Sequence, residues 1–395
     1  MYPARSAFDR LRGLLDGIAP PAGLPPIELQ LGESRLQSGV IDPAVLADAA
    51  GWARYPRLGG TPELRAAYGQ WLGRRFGVQA VLSAGKIAIE PTPGSKQALA
   101  AVIALAVMSA RAHGDPAVIL PNPFYPTYWA ATEAVGARPV FYPTSDDMDA
   151  TPITAAVEAA GGRAAAIIVC NPGNPRGEIM SADALTELAK IAVGAGALLI
   201  VDECYSDLTC GLAAPGYLAV AGEAGQVGPF VVLHSLSKRS GAPGLRSGFM
   251  AGDPATVSAY ARYNRDCGVS LALPVNAVAA ALWADDAHVA RAQALLARNW
   301  DLTDSVLGDV PGYRRAAAGF FLWLPVGDDE AAARVLWRRH ALRVMPGRYL
   351  GTETADGPNP GAGYLRIALV HEENLMLAAL TRLRAAVPSI IAPVN

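Results

Sequence analysis

Lysine is the scarce cation of this chain. Lysine and arginine together number 33, yet only Lys86, Lys96, Lys190 and Lys238 are lysines. Arginine therefore supplies charge almost everywhere that charge alone is needed. A guanidinium keeps its proton, whereas an amine can lose one and attack a carbonyl, so each retained lysine invites a chemical reading beside that of a surface lysine in a polar loop. Cysteine is scarce too. Cys170, Cys204, Cys210 and Cys267 form no CxxC pair and no zinc-type spacing, and they read as reduced core thiols of a cytosolic protein. Charged residues are only 17% of the chain and the net charge is −2, which gives no basis for a nucleic acid or an anionic membrane as partner. No apolar run approaches bilayer length and the N-terminus shows no signal-peptide core, so the expected compartment is the cytoplasm. No G-x-G-x-x-G follows the first strand of the sheet, and a dinucleotide-dependent dehydrogenase loses its fingerprint.

What is present is a long apolar chain. Its 395 residues, 52% hydrophobic, are enough for two domains and leave apolar surface for a subunit interface. Phe8, Leu11, Leu14, Leu15 and Ile18 recur at helical spacing. The proline-rich link Pro20–Pro26 leads into IELQLGES, a short strand ending at Gly32. A helix is expected near Pro43–Ala50 and another over Leu64–Phe76 with Thr61 as N-cap. From Ile87 onward strand and helix alternate: IAIEPT, PAVILPNP, ARPVFYP, AAAIIVCNP, ALLIVDE, PFVVLHS and RSGFMAG are continuous apolar runs, as strands covered on both faces require. This predicts an α/β fold with a mostly parallel, doubly covered sheet. After Pro274 helices surround a few strands (FFLWLPV, LRVMPG, GYLRIALV), which reads as a smaller α+β domain. The expected division is a large domain over residues 50–280 and a small one from 1–49 with 281–395. Gly351–Gly363, rich in Gly, Thr, Asp and Pro, reads as a loose loop.

Ligands of open α/β sheets gather at the carboxyl ends of strands, and those ends carry the informative residues. One strand delivers Gly94-Ser95-Lys96 to a helix N-terminus, where free N–H groups favour a phosphate, although an ordinary N-cap serine gives the same pattern. The next ends in PNPFYPTY, placing Tyr125 at the rim as core packing or as a stacking partner for a flat ring. NPGNP leaves Asn174 free to hydrogen-bond. ALLIV runs into Asp202, a carboxylate that needs a partner or caps a helix, with Tyr205 three residues on. VVLHS ends in Ser235-Leu236-Ser237-Lys238, and Arg246 follows eight residues later. An amine at a strand end, among hydroxyls and beside an arginine, suits an imine-forming lysine next to a bound phosphate.

Together and in this order, Gly94-Ser95-Lys96, Tyr125, NPGNP, DECY and SLSK with Arg246 resemble the fold-type I enzymes that use pyridoxal 5'-phosphate, the class I/II aminotransferases. The resemblance runs from YPRLGGTPELR to YLRIAL and implies roles position by position. Lys238 would carry the cofactor's aldehyde and then move the substrate α-proton. Asp202 would keep the pyridine nitrogen protonated. Asn174 and Tyr205 would hydrogen-bond the ring's phenolic oxygen, Tyr125 would stack on the ring, and Gly94, Ser95, Lys96, Ser235 and Arg246 would hold the phosphate. Tyr55 would reach the phosphate in a partner subunit, making a homodimer with shared active sites. Arg366, with Gly32 and Asn174 nearby, would take the substrate carboxylate. No metal is implied.

Within the family, SLSKRSGAPGLRSGFMAGD and NPGAGYLRIALV look most like the succinyldiaminopimelate aminotransferases of bacterial lysine biosynthesis. That implies a substrate with several carboxylates, for which Arg176 and Arg348 are candidate partners. The family's usual NPTG is NPRG here, and Gly241 stands where a larger polar residue is expected. Other amino-acid specificities, and a lyase, decarboxylase or oxidase on the same scaffold, use the same cofactor site. A cofactor-sensing regulator would carry an added DNA-binding segment, and none is visible.

Overall fold

The computed structural model describes residues 6–391 apart from 36–38, 210, 212 and 225–227; Cys210 therefore lies outside the described residues. The strands of the main sheet are β1 (Ala88–Thr92), β2 (Ala117–Asn122), β3 (Arg138–Pro143), β4 (Ala164–Cys170), β5 (Leu198–Asp202), β6 (Phe230–Ser235) and β7 (Gly248–Gly252). Their order is β1-β7-β6-β5-β4-β2-β3. β3, β2, β4, β5 and β6 pair in parallel, while β7 runs antiparallel to both neighbours. The central strands are buried along almost their whole length, with Cys170 at the end of β4 half-buried. Ile167, Leu199 and Val232 face one apolar layer, and Ile168, Ile200 and Leu233 face the other. This explains why the strands read as unbroken apolar runs: period-2 alternation vanishes when both faces are covered.

The reversed direction of β7 matters for function. Ser235 at the end of β6 and Thr92 at the end of β1 both pair with Gly248 at the start of β7. Arg246, two residues before that start, therefore arrives at the same rim as the carboxyl ends of the parallel strands. Glycine is required along β7, because a Cβ on Gly248 would lie 2.3 Å from the His234 carbonyl oxygen.

The smaller domain holds β8 (Phe321–Pro325), β9 (Met345–Pro346) and β10 (Tyr364–Ala368) in the antiparallel order β9-β10-β8. Helices Ala287–Leu307, Asp329–His340 and Glu373–Ile390 pack around it over a separate apolar core that includes Trp300, Leu322, Leu336, Ile367 and Leu380. Ile27–Glu28 pairs in parallel with Leu342–Arg343, and the Leu29 carbonyl accepts from Ala368 N–H at 2.8 Å. The N-terminal segment thus threads into this domain before delivering Gly32 to the interface.

Several sequence expectations need adjustment. The first helix spans Ala7–Leu15 and leaves Phe8 on its outer side, while Pro43–Leu46 and Ala49–Trp52 are two short helices rather than one. Cys267, at the last position of helix Pro254–Cys267, is exposed rather than in a core. The Gly351–Gly363 stretch is anchored. Asn122 at the end of β2 exchanges hydrogen bonds with the backbone of Thr352, and Asn359 holds the carbonyls of Arg348 and Gly351. Among the described residues, no helix is long and apolar enough to cross a membrane.

Under the sheet, Trp283 contacts Trp71, Phe249 and Tyr68 at ring-centroid distances of 4.7, 4.9 and 5.7 Å. Trp283→Ala is expected to cost about 3–5 kcal/mol through lost burial and a residual cavity, read as a lowered urea midpoint.

Candidate functional site

β6 ends at Ser235, whose side chain accepts from the Ser237 N–H at 3.1 Å and caps the one-turn helix Leu236–Arg239. That cap turns the chain and directs Lys238 into the cleft between the two domains. Lys238 Nζ donates to the Gly32 carbonyl at 2.5 Å. Its pKa is pulled from 10.5 to about 8, chiefly because burial disfavours the charged amine; Arg366 pushes the same way, and Cys204, Glu33 and Asp202 oppose. An amine in that range is partly free base near neutral pH, as a nucleophile needs.

Asp202 ends β5, buried, and is held from two directions. Tyr128 Oη donates to Oδ2 at 2.8 Å, and the Cys204 N–H donates to Oδ1 at 3.2 Å. Tyr128 escaped the sequence reading although a signal was present. Pro126 opens helix Pro126–Ala134, so Tyr128 sits one turn beyond Tyr125, where a strand-end carboxylate needs a donor. Tyr125 packs edge-on against Tyr128 at 5.6 Å. Burial raises the pKa of both phenols and of Tyr205, keeping them as neutral donors.

Asn174 is a hub. Its Nδ2 donates to Tyr205 Oη at 3.4 Å, and its Oδ1 accepts from Arg366 Nη1 at 3.3 Å. Arg366 lies on β10, only 5% exposed, with Nη2 on the Gln30 carbonyl at 3.1 Å and its guanidinium 4.2 Å from the Phe321 ring centroid. Its Nε is buried with no hydrogen-bond partner among the described residues, and burial lowers its pKa to about 10. A buried cation with an unspent donor is suited to an anion such as a carboxylate. Gly32 is needed for this packing, since a Cβ there would lie 2.6 Å from the Phe321 ring.

The phosphate-type corner forms at helix Ser95–Ala110. Gly94 precedes it with φ 85 and no side-chain cap, leaving the first N–H groups turned outward. A Cβ on Gly94 would lie 2.5 Å from Arg246 Nη2. Arg246 itself is exposed, adopts φ 53, and reaches the Pro243 and Pro93 carbonyls at 2.9 and 3.4 Å. Ser95 is half-buried at the helix start and Lys96 is exposed. Ser235 is buried and occupied by its capping role, whereas Ser237, 3.0 Å from it, is half-buried and nearer the surface. Tyr55 is brought to none of these groups within the chain; it is 99% exposed.

The two arginines considered for further carboxylates are otherwise engaged. Arg176 pairs with Asp146, which Arg314 also contacts. Arg348 binds Asp329 at 2.6 Å and Asp328 at 3.1 Å. Gly241 has φ 58, a left-handed conformation that glycine adopts without strain. A separate cavity of about 530 Å³ opens at the opposite, amino-terminal edge of the sheet between Ala106, Ser109, Arg163 and Ala255; it shares no residue with this constellation.

The class I and II aminotransferase family model matches residues 28–383. The chain belongs to that family. It is 30% identical over 367 residues to the 4-dedimethylamino-4-oxo-anhydrotetracycline transaminase OxyQ of Streptomyces rimosus, spanning 92% of this chain and 94% of that one. It is 31% identical over 342 residues to an LL-diaminopimelate aminotransferase of Desulforudis audaxviator, spanning 84% and 82%. A crystal structure of an aminotransferase from Neisseria meningitidis superposes with a TM-score of 0.86 at 33% identity, covering 98% of this chain and 97% of that one. Class I and II aminotransferases depend on pyridoxal 5'-phosphate, and the residues present fit it. The site offers a glycine-led helix N-terminus beside an arginine, a carboxylate at a strand end, a desolvated lysine and a buried guanidinium with an unspent N–H.

Behind Asn174 lies a further buried acid. Glu178 is 7% exposed, and its pKa is raised to about 7 by burial, with Arg176 opposing. Its Oε2 has no hydrogen-bond partner among the described residues. A carboxyl whose folded pKa exceeds its unfolded value adds stability that is complete below about pH 4.5 and lost as pH rises through about 7. Urea midpoints should therefore fall between pH 5 and pH 7 in the wild type, and Glu178→Gln should remove that component and be relatively more stable at pH 8.

Proposed function

We propose that this aminotransferase works through Lys238, with Asp202, Asn174, Tyr205 and Arg366 as its partners. The observation that carries the reading is the half-buried Lys238 amine, shifted to about 8 and coupled to both Asp202 and Arg366. Pyridoxal phosphate supplies an aldehyde that joins amines and a pyridinium ring that withdraws electrons from a substrate's α-carbon. Lys238 would hold that aldehyde and, once released from it, move the proton at the substrate's α-carbon. Asp202, oriented by Tyr128 and the Cys204 N–H, would hold a proton on the pyridine nitrogen. Asn174 and Tyr205 would donate to the ring's phenolic oxygen, and Tyr125 would cover the ring. Gly94, Ser95, Lys96, Ser235 and Arg246 would take the phosphate, while Arg366 with Gly32 would orient the substrate carboxylate. Lys238→Ala should abolish the cofactor's visible band and α-proton exchange; a retained band, or borohydride trapping on Lys86, Lys96 or Lys190, would refute the assignment. Asp202→Asn should stay folded and lose most turnover.

For the substrate, we propose transfer between glutamate and N-succinyl-2-amino-6-oxopimelate in lysine and diaminopimelate biosynthesis. The resemblance of SLSKRS and NPGAGYLRIALV supports it, as does similarity to a relative named for LL-diaminopimelate. One observation favours a second reading. Arg176 and Arg348, the donors that extra carboxylates would use, are committed to internal acids, and OxyQ is named for a ring ketone. With glutamate as donor, the first reading expects the succinylated oxo acid to accept the amino group faster than oxaloacetate or aromatic 2-oxo acids. A lack of turnover of that compound, together with amination of a polycyclic ketone, would favour the second.

The working unit we propose is a homodimer. Tyr55 is fully exposed, with Trp52 and Leu58 more than half exposed nearby in sequence, as expected for a segment that reaches a second subunit. Light scattering should give twice the chain mass, and Tyr55→Phe should weaken cofactor retention while the dimer persists. A fully active monomer would exclude shared sites.

A further inference from the structure

The residue after the reactive lysine is a buried arginine whose partners Asp207, Asp286 and the Leu282 carbonyl lie behind the cleft. Arg239 is 3% exposed and points away from Lys238 into the packing behind it. Its Nε donates to Asp207 Oδ2 at 3.0 Å, Nη1 to the Leu282 carbonyl at 2.7 Å, and Nη2 to Asp286 Oδ1 at 2.6 Å. The guanidinium carbon lies 4.9 Å from the Trp283 ring centroid and 5.6 Å from that of Trp71. Asp207 is itself over-determined. Its other oxygen accepts from Arg75 Nε at 3.1 Å, and its carbonyl accepts from Gln293 Nε2 at 2.7 Å. Asp207 belongs to the turn that follows β5, so it is joined through a few residues of backbone to Asp202. The one-turn helix Leu236–Arg239 is too short to hold its own position, because isolated single turns are unstable. Something outside it must fix where Lys238 points.

We infer that the Arg239–Asp207 ion pair is the positioning device of the site, locking the lysine-bearing turn to the segment that carries Asp202. A buried guanidinium shared between Asp207, Asp286 and the Leu282 carbonyl suits that task because its planar fork fixes direction as well as distance. Lysine at 239 would keep the charge and lose the fork. The inference rests on Lys238 being the reactive amine, and its test reads that amine in the protein without cofactor, so it does not depend on turnover.

The chain has only four lysines, so protein labelled with 13C at lysine Cε gives four resonances, and the one absent in Lys238→Arg is assigned. In the wild type that resonance should titrate near 8. In Arg239→Lys, where the added lysine gives a fifth resonance absent from the wild type, and in Asp207→Asn, both folded by circular dichroism, the turn loosens and water reaches the Lys238 amine. Its midpoint should then rise by at least one unit, while the other three stay in place. Asn299→Ala, which removes hydrogen bonds to the Leu369 and His371 carbonyls in the small domain, serves as a control for general destabilisation and should leave Lys238 unmoved. Folded variants with an unchanged Lys238 midpoint would overturn the proposal. So would an equal shift in Asn299→Ala, or failure of both conservative variants to fold, since either would assign the pair to global stability alone. A wild-type Lys238 midpoint near 10.5 would instead count against the Lys238 assignment itself.

Discussion

Removing water from a single amine is the constraint on which this site depends. Lys238 stands at the end of a buried strand, and desolvation is the main cause of its lowered pKa. No one element excludes the water. The N-terminal segment contributes the Gly32 carbonyl, β10 contributes Arg366, β5 contributes Asp202 at its end, and the turn after it contributes Cys204. A second buried cation sits close by, and the two charges oppose one another. The arrangement is tolerable because Arg366 is spread over Asn174, the Gln30 carbonyl and the face of Phe321. Charges held this way keep their donors oriented without the reorganisation that water would require.

The same convergence explains the glycines at the rim. Gly94 and Arg246 are packed so closely that neither tolerates a bulkier neighbour, and Arg246 adopts a left-handed backbone that costs a non-glycine residue about 1–2 kcal/mol. That conformation ends the short turn Pro243–Leu245 and lets β7 begin beside Ser235 and Thr92. The strained residue thereby sets a guanidinium beside a helix N-terminus, two positive groups that together suit an anion.

Charge type alone does not tell how an arginine is satisfied. Arg176 and Arg348 occupy stretches that border the cleft, and composition treats them like Arg366. Their surroundings differ: each finds an acidic partner inside the chain, whereas Arg366 has none among the described residues and is stacked on an aromatic ring. Likewise the Gly- and Pro-rich stretch 351–363 has the composition of a free loop, yet the side chains of Asn122 and Asn359 satisfy its backbone and hold it against β2. An asparagine at a strand end thus does structural duty in one place and forms the site's hub in another.

By itself the sequence determined the order of elements, the seven apolar strands and the residues at their carboxyl ends, because strands buried on both faces must be apolar throughout and ligand-facing groups must then lie where they stop. It also singled out Lys238, since an amine is chemically distinct from the arginines used elsewhere. Tertiary structure alone decided which of those groups meet. Tyr128 reaches Asp202 because a helix begins at Pro126. Arg366 reaches Asn174 across 192 residues, and Glu178 is trapped behind that hub in a setting that raises its pKa. Local pattern records whether a residue is buried or turned. The partner that satisfies a buried charge comes from distant segments, and only the folded chain brings them together.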